Sequence, residues 1–422
     1  MTQPSTDTSA QSLTQALTES GSDLAAFNFF DPDYRTNPHP VLADLRLRDP
    51  IHRTIFGWII TRHADVQRLN RDPRLGRDLR KLTQGGRMLK AAKHLPGLGE
   101  MLATFMLHLD PPDHTRIRRL MAYAFTPKAI GQMEATVRQT AATVLDRMPE
   151  RGDVGLIDAF AKPFPVTVIC DLMQVPLSDS PMLAGWSEAI AEHIEVTATR
   201  EQLAACNGAY FEIKDYLARF VEQRRKNPGD GLIDRLIAAE QETDALSSNE
   251  LLANVILLIL AGHETTTNLI GNGMLALIQH PDQLALLRQQ PALVSTAVEE
   301  CLRFESPANT NARCAHEVIE IGSKRIEPGD LVLCMLGAAN RDPEVFADPD
   351  RFDITRDPNP HQSFGGGPHH CIGANLARLE GRVAIAGLLE RYRSIELDGT
   401  PVQWRDRINL RGLSELNLRV TR

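Results

Sequence analysis

Along most of the chain apolar residues return every three or four positions, the spacing of one helix face, and only short pieces alternate with period two. The strongest helical run opens at Ser247, which stands three residues before Glu250 in a capping-box pattern. It continues from Ser248 to His280, where Pro281 ends it. At about 1.5 Å per residue this helix would run about 50 Å, enough to cross a whole domain. Its first half, "LLANVILLILAG" at 251–262, is apolar all round and is expected to be buried. The run is well short of the roughly 18 to 20 residues that span a bilayer. Three alternating stretches, "PIHRTIFGWIITR", "IEIGSKRIEPGDLVLCML" and "INLRGLSELNLRVT", read as small hairpins. The pattern predicts a mainly α fold with small β-sheets. No repeat or Pro/Gly/Ser linker divides the chain, so one domain over 24–422 is expected, behind a disordered tail over 1–23.

The middle of the long helix breaks its own pattern. Ala261 to Asn268 reads "AGHETTTN", a polar patch where a buried helix should be apolar. Burying a carboxylate without partners costs several kcal/mol or forces it to take up a proton, so Glu264 needs a reason to be there. Threonine hydroxyls can bond back to carbonyls one turn earlier and Gly262 loosens the ladder, which predicts an opened or kinked helix and a small polar niche. A solvated surface face is the other reading.

Charge narrows the function classes. Forty-six Lys and Arg against 54 Asp and Glu leave a net charge of −8, which argues against a general nucleic-acid binder with a basic face. The cysteines at 170, 206, 301, 314, 334 and 371 include no CxxC pair, which fits free thiols in a reducing, cytoplasmic compartment. The opening "MTQPSTDTSAQSLTQALTESGSD" lacks the basic start and apolar run of a signal peptide.

One cysteine sits in unusual company. Residues 364–380 read "FGGGPHHCIGANLARLE", a glycine-rich loop that delivers Cys371 just before a helix whose Leu376, Leu379, Val383 and Ala386 form one apolar stripe. A thiol at a helix N-terminus feels the positive end of the dipole, which favours the thiolate as nucleophile or metal ligand. The glycines would let something flat approach the backbone. A zinc site would need further ligands at short spacing beyond His369 and His370. A Cys/His nucleophile remains possible, and an inert buried cysteine explains neither the glycines nor the histidines.

Taken together, "FGGGPHHCIG" resembles the haem-binding signature of the cytochrome P450 superfamily, soluble bacterial type, with Phe364, Gly365, Gly367, His369, Cys371 and Gly373 on its recurring positions. "AGHETT" resembles the family's oxygen-binding segment, with Ala261 beside the haem and Glu264 and Thr265 as the acid–alcohol pair. "EECLR" carries its ExxR pattern as Glu300 and Arg303, and "DPDRF" supplies Arg351 as third member of that network. "DPPDHTRIRR" places His114 and Arg118, and "NARCA" places Arg313, on positions that hold haem propionates. "ANRDPEVFADPDRFDITR" is also similar to the family.

The resemblance implies a single haem domain with a long central helix, binding haem b (iron protoporphyrin IX) through the Cys371 thiolate. It implies a haem-thiolate monooxygenase that activates O2 with two externally supplied electrons. Glu264 and Thr265 would deliver protons as catalytic groups. His114, Arg118, Arg313 and His369 would bind propionates, and Glu300, Arg303 and Arg351 would hold the fold beside the cysteine loop. The electrons would come from a separate ferredoxin or flavodoxin with its NAD(P)H reductase, meeting the chain at Arg116 and Arg119. An apolar small-molecule substrate, a fatty acid, terpenoid, steroid or polyketide, would be hydroxylated against Leu257, Leu258, Ala308, Asn309, Thr310, Leu413 and Ser414. The segment "LTQGGRMLKAAKHLPGLGEM" would act as a mobile lid. No nucleic acid and no membrane partner is expected, and the chain would be a monomer. A peroxide-driven enzyme or a non-catalytic haem-binding sensor is the alternative, and neither would need the acid–alcohol pair.

Overall fold

The computed structural model describes residues 28–83, 87–240 and 246–422; the expected tail over 1–23 lies outside them. The long helix forms over Ser248–Gln279. Ser247 accepts from the Glu250 N–H at 3.2 Å while the Glu250 carboxylate accepts from the Ser247 N–H at 2.8 Å, so both bonds of the capping box are made. The His280 N–H closes the far end on the carbonyls of Ala276 and Leu277, and Pro281 starts the next helix. From Leu251 to Leu277 burial lapses only at Leu252 and at Ala261, Gly262 and Thr265.

The helix runs unbroken through its polar patch. Thr265 Oγ1 donates to the Ala261 carbonyl at 2.7 Å and Thr267 Oγ1 to the His263 carbonyl at 3.0 Å, as the residue types suggest. Gly262, expected to loosen the ladder, serves close approach instead. A Cβ there would stand 2.5 Å from Cδ1 of Ile169, on the neighbouring helix Pro163–Met173. The central helix also packs against Ser180–Ala191, Val294–Phe304 and Ala374–Arg391, which makes it the axis of the helical layer.

The sheets are small. A five-stranded sheet runs in the order Ile51–Arg53, Trp58–Ile60, Leu331–Met335, Thr310–Ala315, Leu75–Gly76, with only the second and third strands parallel. Ile51–Arg53 with Trp58–Ile60 and Ile319–Ile321 with Lys324–Ile326 are the hairpins their alternation predicts. The last stretch is not a hairpin. Leu413–Glu415 pairs with Gln403–Trp404, whereas Asn417–Thr421 pairs with Arg151–Gly155 and Ser394–Leu397, so its two alternating halves enter different sheets. The proposed lid segment holds the helices Arg87–Ala92 and Pro96–Thr104, and Leu98, Met101 and Leu102 of the second are in the core. Among the described residues no helix is long and apolar enough to cross a membrane.

Candidate active site: a thiol facing the central helix across a cavity

Between the central helix and the glycine-rich loop lies a cavity of about 1230 Å³. That exceeds the roughly 300–1,000 Å³ of an ordinary small-molecule pocket. Its floor is Phe364, Gly365, His369 and Cys371, and the opposite wall is Leu257, Leu258, Ala261 and Thr265. Two sequence motifs about a hundred residues apart therefore face each other.

The loop is shaped for delivering the sulfur. Gly365 and Gly367 have φ of +64° and +66°, a left-handed conformation that costs glycine least. A Cβ at Gly367 would fall 2.4 Å from the Asn70 carbonyl oxygen. The Cys371 N–H donates to the Phe364 carbonyl at 2.9 Å and closes the loop, and Gly373 caps the helix Ala374–Arg391. Of the six cysteines, all free, five are buried and only Cys371 is exposed. Its exposure is to the interior cavity. Burial therefore pushes the thiol up, against the pull of the Gly373 N–H, Arg118 and Arg378. The sequence expectation of a favoured thiolate is not met by the loop alone; a cation bound to the sulfur would displace its proton.

Beside the thiol is a cluster of donors that lacks an anion. The rings of His114 and His369 lie 4.0 Å apart, and neither nitrogen of buried His114 has a hydrogen-bond partner among the described residues. Arg313 is buried on an inner strand with its Nε unpartnered, and Arg118 donates to the His370 carbonyl at 2.6 Å. Arg77 completes the group, donating to the carbonyls of Leu107 at 3.1 Å and Ala312 at 3.0 Å. Burial and then Arg313 push Arg77 down to about 9, and burial with Arg118 holds His114 down at about 4. None of Arg77, Arg118 and Arg313 forms an ion pair among the described residues. The nearby Asp110 carboxylate instead takes Lys81 at 3.3 Å and His316 at 3.2 Å. Unpaired buried cations are costly. This set fits a flat group with an electropositive centre over the thiol and carboxylates at the cationic edge, as haem b has. No sequence motif marks Arg77 as a cationic partner; only the fold brings it to this cluster.

The Glu300–Arg303 pair is wholly buried, with Arg303 Nε 2.7 Å and its second terminal nitrogen 2.8 Å from the carboxylate. Arg351 joins through its carbonyl, which accepts from Arg303 at 3.0 Å. The second arginine side chain that reaches Glu300 belongs to Arg356, at 3.3 Å, where Arg351 was expected, and Asn359 Nδ2 donates to the same carboxylate at 3.1 Å. The reason is local: the Asp353 N–H also donates to Glu300, so the chain wraps the carboxylate and turns Arg356 back onto it while Arg351 faces outward.

Glu264 and Thr265 part company. Thr265 lines the cavity. The Glu264 carboxylate is instead fixed between Arg405 at 3.2 Å and Arg407 at 3.0 Å, which in turn reach Glu188 at 2.8 Å and Glu192 at 2.7 Å. Burial pushes Glu264 up, but the two arginines pull it below its ordinary value, so it is held ionised. Both arginines escaped the sequence reading, since they come from a loop some 140 residues away.

On the pocket side Leu257, Leu258, Ala308 and Thr310 line the cavity. Asn309 turns to Gly337, where a Cβ would meet its side-chain oxygen. Leu413 lies in the core and Ser414 Oγ donates to the Gln403 carbonyl at 3.1 Å. Asn409 and Leu410 take their place, because Glu195 accepts from the N–H groups of Ile408, Asn409 and Leu410 and draws that loop to the wall. Arg116 is engaged with Glu250 at 2.5 Å and Asp113 at 3.6 Å, so its charge fastens its own helix to the central one; Arg119 is exposed.

Comparison with known proteins agrees with this geometry. The sequence model of the cytochrome P450 family matches residues 93–407. The chain is 41% identical over 406 residues to cytochrome P450 107B1 of Saccharopolyspora erythraea, covering 94% of this chain and 98% of that one. It is 38% identical over 412 residues to the vitamin D(3) 25-hydroxylase of Pseudonocardia autotrophica, covering 95% and 98%. The crystal structure of the myxobacterial CYP267B1 in complex with myristic acid superposes with a TM-score of 0.87 at 37% identity, covering 94% of this chain and all of that one. A thiol aimed into a cavity, the cationic edge beside it and this likeness over nearly the whole chain lead to one conclusion: the protein belongs to the cytochrome P450 family, haem-containing monooxygenases.

Proposed function

We propose that this enzyme hydroxylates an apolar small molecule, of fatty-acid, polyketide or steroid-like type, using O2 and two electrons from a separate ferredoxin or flavodoxin with its NAD(P)H reductase. The observation that carries the reading is Cys371 opening into the same cavity as Thr265, across from an apolar helix wall. Cys371 would hold the haem iron, and His114, Arg118, Arg313, His369 and Arg77 would hold the propionates. When bound, the haem supplies the redox chemistry that activates O2. This chain's residues do the rest. Leucines of the central helix exclude water and seat the substrate's apolar body. Thr265 holds a proton at Oγ1, now given to the Ala261 carbonyl, and can turn it into the cavity. Glu264 must leave Arg405 and Arg407 to carry a proton; Arg405 also holds the partly exposed Glu188, the carboxylate nearest the surface in this network. Relatives named for vitamin D(3) hydroxylation and bound to myristic acid support an apolar substrate.

The first test is the absorbance difference spectrum of the dithionite-reduced protein with and without carbon monoxide. A strongly red-shifted Soret band that Cys371→Ser abolishes supports thiolate ligation; a short-wavelength band in the unaltered protein overturns the reading. With a surrogate ferredoxin pair and tetradecanoic acid, Thr265→Ala is expected to lower product per NAD(P)H and raise peroxide release. Unchanged values for both would remove Thr265 from proton delivery.

A further inference from the structure

Two buried histidines stand over the cavity, outside every motif described above. His108 ends the short turn Met106–His108 and lines the cavity; His193 lies in the turn Glu192–Ile194, behind it. Their Nε2 atoms are 3.1 Å apart and the rings cross at 86°. His193 Nδ1 is 2.7 Å from the Ile190 carbonyl, which can only accept, so Nδ1 carries the hydrogen. Burial holds His193 down at about 4, and burial with His193, Arg77 and Arg80 drives His108 well below its ordinary value, so both rings are neutral. The remaining assignments follow in order. His193 Nε2 is the acceptor, His108 Nε2–H the donor, and His108 Nδ1 is left as a bare lone pair.

The hydrogen bond of the His108 ring among the described residues is the one through Nε2, and the residue forms part of the cavity wall, so Nδ1 stays without a partner there. Phe105 packs on His193 at 5.7 Å, and the Met106 N–H donates to Asn254 of the central helix at 2.8 Å, fixing the turn. Other polar side chains on this part of the wall are occupied within the protein. Thr310 donates to Asn409, Asn409 donates to the Ile194 carbonyl, and Glu195 accepts three backbone N–H groups. On a stretch of wall whose other polar side chains are already engaged, one unpartnered acceptor selects.

We infer that His108 Nδ1 is a recognition point for a hydroxyl or N–H group on the apolar molecule that enters this cavity, with His193 the positioning residue that locks its tautomer. The inference rests on the cavity being the substrate pocket. A donor gains a hydrogen bond there, whereas a carbonyl or ether oxygen is placed against a lone pair.

The test uses the haem-loaded full chain and two matched probe pairs, tetradecan-1-ol with its methyl ether and testosterone with androst-4-ene-3,17-dione. Affinities are measured by calorimetry, and the His108 ring nitrogens are followed by ¹⁵N NMR. The donor member of at least one pair is expected to bind about tenfold more tightly and to shift the Nδ1 resonance. His108→Phe should remove the preference, and the NMR readout on the unaltered chain needs no variant to fold. The inference is overturned if neither pair shows a preference, including no binding at all, or if a preference survives His108→Phe or leaves Nδ1 unmoved. The carbon monoxide spectrum of the same preparation tests the monooxygenase reading separately, since calorimetry does not depend on thiolate ligation.

Discussion

At the scale of single residues, charge is handled by partners that the chain brings from afar. Glu300 keeps Arg303 from its own helix and receives Arg356 from a distant loop. Replacing Arg356 with alanine should destabilise the holoprotein by about 1–3 kcal/mol, because a buried carboxylate loses a charged donor yet keeps another. Arg351→Ala should stay within about 0.5 kcal/mol, since a backbone carbonyl does its work. Equal losses in chemical denaturation would return Arg351 to the network. Glu299 gives a pH dependence. Burial pushes it up, but His361 at 3.0 Å and Arg378 at 2.7 Å pull it down to about 2. Its folded value is depressed, so its stabilisation is complete above the unfolded carboxylate value of about 4.3 and is lost as pH falls toward 2. Glu299→Gln should flatten the fall of Tm between about pH 5 and pH 2; an unchanged slope would refute the assignment.

At the scale of elements, the loop 364–373 and the central helix show opposite uses of glycine. In the loop, positive φ and an adjacent carbonyl leave no room for a side chain at Gly367. Gly367→Ala should cost more than about 1 kcal/mol and lower the haem-to-protein ratio on purification, because both the φ penalty and the Asn70 contact must be relieved by moving the loop. Full haem content would show that the loop yields elsewhere. In the helix, Gly262 admits Ile169 without disturbing the ladder, so the polar patch keeps regular geometry. The loop's glycines were legible because they cluster. The role of Gly262 was not, since a close neighbour on another helix leaves no mark in local sequence.

At the scale of the molecule, the cavity gathers Arg77 and Arg118, with Arg313 beside them, and none of the three guanidinium groups is ion-paired among the described residues. Arg77→Leu should leave the haem-free protein as stable or more so, because an uncompensated buried cation is removed. The Tm gain on haem loading should shrink, as binding energy to the folded state is lost. Scanning calorimetry of both forms checks the two signs, and an undiminished gain would place Arg77 outside the haem edge.

What the sequence determined by itself is what short-range chemistry encodes. The capping box and apolar run gave the central helix its limits, alternation gave two hairpins, and the cysteine loop and polar helix patch marked the two sides of the site. Tertiary structure alone decided who meets whom. Arg405 and Arg407 reach Glu264, Arg356 replaces Arg351, Asn409 and Leu410 replace Leu413 and Ser414, and Arg77 joins the donors around the thiol. Helix periodicity and capping are fixed by residues within a turn of one another. Ion pairs and cavity walls are fixed by packing between segments far apart in the chain, 56 residues for Arg356 with Glu300 and 141 for Arg405 with Glu264, where side-chain reach and competition for burial choose among many compatible partners.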